Sequence, residues 1–208
     1  MSFTYSGLKT AIQNYTDNDE STFVSTLDTF IKLSEEKILK TVQLDEFRKN
    51  VTGTASSGNS YLGKPSDYLD PLSLAVIDSD SNYIYLNLKQ VTWVRDYTPA
   101  SATTGVPKYY ASFDEDTFML APAPNANLTF ELHYVYRPAS LTAAGDSGTT
   151  WLSTNAEDAL FYGALVEASV FMKGDPNELQ YYETRFQEAL MKLKNFNEAL
   201  GTRDQYRY

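Results

Sequence analysis

The side chains that could do chemistry are few. The chain holds one histidine, His133, and no cysteine. A serine–histidine–aspartate triad would have to be built on His133, in the segment LTFELHYVY between Glu131 and Val135, and no G-x-S-x-G elbow occurs anywhere. A single histidine at an alternate position of a strand reads as a polar-face residue. Asp114, Glu115 and Asp116 form an acidic run that could attract calcium. An EF-hand loop, however, needs acids at alternate positions, a glycine and a distal glutamate. Three consecutive acids read instead as a solvated hairpin tip. The glycines are scattered, and no G-K-[ST] follows a strand, so no phosphate loop is present. Without cysteine there is no disulfide, thiolate zinc site or cysteine nucleophile. No pair of carboxylates is singled out for two-acid hydrolysis. The expectation is a protein without catalytic residues, metal or cofactor.

What remains is aromatic. The 208 residues include 16 Tyr and 11 Phe, and aromatics make up 14% of the chain. Tyrosine joins an apolar ring to a hydrogen-bonding tip, which suits half-wet protein interfaces. It also simply fills exposed strand positions. The net charge of −10 leaves little to gain from counterion release on nucleic acid, so sequence-specific DNA binding is not expected. The first twenty residues lack a basic region followed by an apolar one, and no apolar run approaches a membrane span. A protein that matures in a cytoplasm is expected, with the sequons at Asn50 and Asn127 as chance matches.

The elements that would present these side chains follow from periodicity. Leu8, Ile12 and Tyr15 share one face of a short helix over Tyr5 to Tyr15. Asp17, Asn18 and Asp19 offer caps for a longer helix whose seam is Phe23, Leu27, Phe30, Ile31, Ser34, Ile38 and Val42. From Phe47 the composition turns to Ser, Thr, Gly, Asn and Pro, and GTASSGNS (53–60) reads as a loop between short strands. Strands are expected at Tyr61–Leu62, Leu72 to Ile77 and Tyr83 to Leu86, with a helical turn within Leu88 to Tyr97. The stretch FMLAPAPNANLTFELHYVYRP reads as a hairpin, two strands joined by a proline-punctuated turn. In its second strand Leu128, Phe130, Leu132, Tyr134 and Tyr136 alternate with Thr129, Glu131, His133, Val135 and Arg137.

After ASLTAAGDSGTT the pattern is helical again. Asn155 is the expected N-cap, with Glu157 and Asp158 in the first turn where the helix dipole favours acids. From Ala159 to Met172 the helix is apolar nearly all round, so burial on several sides is expected, with Phe171 inside and a subunit boundary close by. Glu167 in that helix is expected either to reach a solvated rim or to pair with a base of a neighbouring chain. Gly174-Asp175-Pro176 is a stop-and-restart signal. The last helix carries Leu179, Tyr182, Phe186, Leu190, Leu193 and Phe196 on one face, with Glu188 and Lys192 spaced to pair. Gly201 is expected to close it. The order helix–helix, strands, helix–helix points to an α+β fold, a four-helix bundle with an inserted antiparallel β-rich domain. The expected domains are 1–46 with 151–200 as the bundle, 47–150 as the insert and 201–208 as a C-terminal tail.

In that order the segments resemble the head-to-tail adaptor (connector) proteins of tailed bacteriophages, of the short-tailed type. Four stretches carry the resemblance: TYSGLKTAIQNY, FIKLSEEKILKTV, GVPKYYASFDEDTFMLAPAPNANLTFELHYVYRPASL, and TTWLSTNAEDALFYGALVEASVFMKGDPNELQYYETRFQEALMKL. The resemblance implies a non-enzymatic virion protein at the head–tail junction, assembled in the host cytoplasm. It implies a homo-oligomeric ring, typically twelvefold, beneath the portal protein, with genomic DNA passing through its centre without sequence-specific binding. Its helical part and tail would engage the portal, the tail through Arg203, Tyr206, Arg207 and Tyr208. Its β-rich part would face the tail nozzle protein, with the tip Asp114, Glu115 and Asp116 as docking acids. The other reading of an aromatic sheet is a carbohydrate- or receptor-binding module of a tail appendage. Fibres of that kind usually show β-repeats or heptads, and this chain shows neither.

Overall fold

The computed structural model describes residues 2–42, 44–78, 80–100 and 102–205, with 200–205 described in backbone only. The architecture is α+β, and the described helices are α1 (Tyr5–Thr16), α2 (Ser21–Thr41), α3 (Val91–Tyr97), α4 (Trp151–Asn155), α5 (Glu157–Met172) and α6 (Pro176–Gln205). The chain divides into two compact units, Met1–Asp45 with Ala139–Tyr208, and Glu46–Pro138.

In the first unit the seams come from the apolar periodicity. Leu8 and Ile12 of α1 are buried, as is the whole series Phe23, Leu27, Phe30, Ile31, Ser34 and Ile38 of α2, with Val42 just beyond its end. The caps match expectation in part: Asn18 accepts from the Glu20 amide at 3.0 Å just ahead of α2. Asp17 ends α1 in the left-handed region (φ 46°), and α2 starts after Glu20 without a side-chain cap. Aspartate is among the few non-glycine residues that visit that region readily, so the acid terminates one helix instead of starting the next. Likewise Asn155 closes α4 and does not cap α5; the side-chain cap here is Thr150, at the head of α4, in a reciprocal box with Ser153. Glu157 and Asp158 do occupy the first turn of α5.

α5 is the hub, with α1, α2, α4 and α6 all packed on it. The close approach depends on Gly163. A methyl group there would lie 2.2 Å from Ser34 Oγ and 2.9 Å from the Phe186 ring. The Ser34 hydroxyl occupies the space and donates to the Leu160 carbonyl at 3.0 Å. Glu167 pairs with Lys37 of α2, in the same chain, an internal partner that neither expected alternative, solvated rim or neighbouring chain, included. Phe171 is another correction: it is 47% exposed, its ring 5.4 Å from Phe30 and 6.2 Å from Phe23. In the last turn of α5 the cover is partial: Ser169 is buried, while Val170 and Phe171 are about half exposed. Phe171→Ala is therefore expected to cost about 1–2 kcal/mol, roughly half of what a fully buried phenylalanine costs. Chemical denaturation checks this, and a loss above about 3 kcal/mol would show a buried ring.

Lys173, not Gly174, takes the left-handed position after α5 (φ 54°). Asp175 then accepts from the Asn177 amide at 2.7 Å, and Pro176 opens α6. On α6, Tyr182, Phe186, Leu190 and Leu193 are buried, whereas Phe196 is exposed. Glu188 is met by Arg185 at 3.3 Å. Gly201 does not close the helix, which runs on to Gln205; a single helical glycine costs only about 1 kcal/mol.

The second unit is a sandwich. Its strands are β1 (Arg48–Ala55), β2 (Tyr61–Gly63), β3 (Tyr68–Ile77), β4 (Tyr83–Tyr85), β5 (Asn87–Leu88), β6 (Thr104–Gly105), β7 (Tyr109–Ser112), β8 (Thr117–Ala121), β9 (Ala123–Pro124) and β10 (Leu128–Tyr136). One sheet has the order β1-β10-β3-β4, a second has β2-β8-β7-β5, and β6 pairs with β9 alone. Leu74, Val76, Phe130, Leu132 and Tyr134 from the first sheet meet Leu62, Tyr110, Phe118 and Leu120 from the second. The alternation read along β10 is thus the inner-versus-outer alternation of a packed sheet.

Three expectations fail here. The strands before and after the proline turn are not a hairpin, because β8 and β10 lie in different sheets. Pro122 and Pro124 cannot donate to a ladder, and the segment carries the chain from one sheet to the other. The unit is not wholly antiparallel, since β5–β7 and β6–β9 are parallel pairs. The loop expected at 53–60 starts only after Ala55, because Gly53 is inside β1. Any side chain at Gly53 would collide with the Phe130 ring, its first carbon falling 2.6 Å from the ring atoms, so the glycine serves close packing and not a turn.

Candidate functional site

His133 lies on the outer face of the first sheet, level with Asn50 and Ser73. Among the described residues no group of three or more His, Asp or Glu could hold a metal ion. No described helix is long and apolar enough to cross a membrane. The surfaces that stand out are aromatic and charged.

The acidic tip is where the spacing put it, in the turn between β7 and β8. Its three acids have different duties. The Asp114 carboxylate accepts from the Thr117 hydroxyl at 2.7 Å and from the Asp116 amide at 2.9 Å, so it builds the turn. Those donors, with the Thr117 hydroxyl foremost, hold its carboxyl below the usual aspartate range. Glu115 and Asp116 are exposed beside it. Lys64 donates to Ser112 Oγ at 2.8 Å and to the Asp114 carbonyl, tying the loop after β2 to the turn. Next to the acids lie two exposed rings, Tyr61 and Phe113, with centroids 5.1 Å apart. The Arg95 guanidinium stands 5.7 Å from the Phe113 ring.

A second cluster on this unit was not expected from the sequence. α3 packs Val94 against Ala111, Met119 and Ala121 of the second sheet. Trp93 and Tyr97 therefore point outward one turn apart, stacked at 5.3 Å, and both meet Tyr109 of β7 edge-on at 4.7 and 4.9 Å. Lys89 lies 5.4 Å from the Trp93 ring. The only local signal was the i,i+4 spacing of Trp93 and Tyr97; Tyr109 joins them through the fold.

The helical unit carries its own cluster. The Arg185 guanidinium sits 5.6 Å from the Tyr162 ring and 6.0 Å from that of Tyr181. Tyr15 packs edge-on against Phe161 at 5.0 Å and remains more than half exposed, as does Tyr181. Of the tail residues, Arg203 lies in the backbone of α6, while Tyr206, Arg207 and Tyr208 lie outside the described residues.

Glu35, buried on α2, was also missed. Its carboxylate accepts from the Leu141 amide at 2.8 Å, and Leu141 itself is fully buried. Burial pushes its carboxyl above the usual glutamate range, partly offset by Ser140, the Leu141 amide and Lys32. It anchors the chain where it re-enters the helical unit. This is structural work.

Exposed Trp, Tyr and Arg in packed clusters are what protein interfaces use as anchors, and none of these clusters is set up for bond-making. The comparisons agree with that character. The family model for the SU10 adaptor protein matches residues 3–207. No curated protein matches the sequence. A match over nearly the whole length settles the relationship: the chain belongs to the SU10 adaptor protein family, structural adaptors of bacteriophages.

Proposed function

We propose that this phage adaptor forms the ring that joins the portal protein to the tail nozzle at the head–tail junction, with genomic DNA passing through its centre. The observation that carries the reading is the family match over residues 3–207. The exposed aromatic and arginine clusters on both units support it, because a junction protein needs a binding surface for each neighbour. In this reading the helical part is a four-helix bundle centred on α5, and the β-rich part is a domain inserted in it. The bundle and the tail residues Arg203, Tyr206, Arg207 and Tyr208 engage the portal. The β7–β8 turn faces the nozzle, with Glu115 and Asp116 as docking charges and Asp114 shaping the turn. The ring is of the twelvefold kind that the resemblance implies. A net charge of −10 keeps passing phosphates from sticking to it.

The test is reconstitution with the portal protein followed by imaging in the electron microscope. Rings seated on the portal support the reading, and a chain that stays monomeric beside the portal overturns it. Deleting residues 201–208 is expected to weaken portal binding at least roughly tenfold, as loss of Arg and Tyr anchors does at other interfaces. Unchanged affinity would remove the tail from the interface. Replacing Glu115 and Asp116 with Ser should leave the unit folded and reduce the rate of nozzle attachment at low salt, with the difference vanishing as salt rises. Equal rates at low salt would dismiss these acids.

A further inference from the structure

The first sheet of the β-rich unit has two open edges, and they match. Its order is β1-β10-β3-β4, and all three pairings are antiparallel. With an even number of alternating strands, β1 and β4 run in opposite directions. A second copy set beside the first in the same orientation therefore brings its β1 antiparallel to β4.

The levels match as well. Thr54, Thr129, Ile77 and Tyr83 lie in one row across the sheet, and Thr52, Glu131, Ala75 and Tyr85 lie in another. The three residues of β4 thus stand level with Thr52–Thr54 of β1. The part of β1 they would meet, Asn50–Ala55, has no charge and no proline. Those are the features by which natural edge strands avoid pairing, and an eight-residue edge without them over most of its length is a template for another strand. Among the described residues, no backbone group of Lys49–Ala55 or Tyr83–Tyr85 bonds outside its own sheet. Tyr83 and Tyr85 are 49% and 64% exposed, their rings stacked at 6.4 Å on the face that Thr52 and Thr54 share. Lower on the sheet, where β4 has ended, one row runs Arg48, Val135, Asp70, so opposite charges mark the two edges at one level.

We propose that β1 of one copy adds to β4 of the next, so that a continuous antiparallel sheet runs from subunit to subunit around the assembly. The join rests on the ring reading above and specifies the contact that holds the ring. It uses two different edges, which is the head-to-tail geometry that closes by rotation. The stacked tyrosines of one copy then pack on the β-branched threonines of the next, a favourable cross-strand pairing.

The absence of cysteine from the natural chain makes crosslinking a clean test. Two double variants of the full-length chain are needed, Thr54→Cys with Tyr83→Cys, and Thr52→Cys with Tyr85→Cys. Within one copy the two positions are three strand spacings apart, about 14 Å, too far for a disulfide. Oxidation of the assembled protein, alone and on the portal, is expected to give a ladder of covalent multiples from at least one double variant. Reduction collapses the ladder, and each single variant stops at dimers. Rings visible in the microscope that yield no ladder from either double variant overturn the edge join and leave the ring reading standing. A chain that forms neither rings nor ladders, with or without the portal, overturns both.

Discussion

Replacing Gly163 with leucine is expected to destabilise the helical unit by about 3 kcal/mol or more, the upper range of overpacking costs. Marginally stable domains have only about 5–15 kcal/mol in total, so much of the population would unfold on modest warming. The reason is geometric. Even one methyl on Gly163 falls 2.2 Å from Ser34 Oγ and 2.9 Å from Phe186, so these side chains must give way, and the larger leucine forces α2 and α6 away from α5. Side chains of that hub, Leu160 and Leu165 among them, are fully buried and would lose cover. The clash predicts its own rescue. Gly163→Ala alone should destabilise despite alanine's better helix propensity, and adding Ser34→Ala should recover part of the loss by removing the hydroxyl. A double-mutant cycle followed by denaturant unfolding measures the coupling. Additive effects of the two substitutions would show that the helices do not meet at Gly163.

Glu35→Ala is the second large effect expected, a loss of about 1–3 kcal/mol, because the Leu141 amide would be left buried without an acceptor. Glu35→Gln retains an acceptor and should behave differently. Burial raises the Glu35 carboxyl above its ordinary value, so the folded state holds the proton more tightly than the unfolded chain does. The stability this contributes is fully present below the unfolded value, about 4.3, and is lost as pH rises through the folded value. The glutamine variant has no proton to lose. Its melting temperature relative to the natural chain should therefore climb from about pH 4 upward and level off once Glu35 is ionised in both states. A constant difference across that range would mean that Glu35 titrates as a solvated glutamate does.

The functional surfaces were partly legible before the fold was known. The acidic run 114–116 could be placed on a hairpin tip because hairpin loops collect short polar residues, and it lies there. That Asp114 is committed to the turn, leaving Glu115 and Asp116 outward, depends on hydrogen bonds that no spacing reveals. The cluster of Trp93, Tyr97 and Tyr109 escaped notice because its third ring comes from a strand twelve residues further along the chain. Glu35 escaped because charge on an amphipathic helix normally marks the wet face, and only the return of Leu141 reverses that.

What the sequence determined by itself is whatever a few neighbouring residues decide. The 3.6-residue period of α2 selected its buried seam, residue by residue, and the two-residue period of β10 separated its inner from its outer face. Asp175-Pro176 began the last helix just past the end of α5 at Lys173, since backbone restriction and capping act within a turn. The tertiary structure decided everything that depends on what comes to lie alongside. It sent β8 and β10 to separate sheets although they follow closely in the chain. It gave Glu167 a partner in α2, and it left Phe171 half exposed at the end of an apolar helix. Alternation says that a strand has two faces and nothing about which strand will pair with it. The partner is chosen when two sheets bury their inner faces together, an outcome of the whole unit that no short stretch contains.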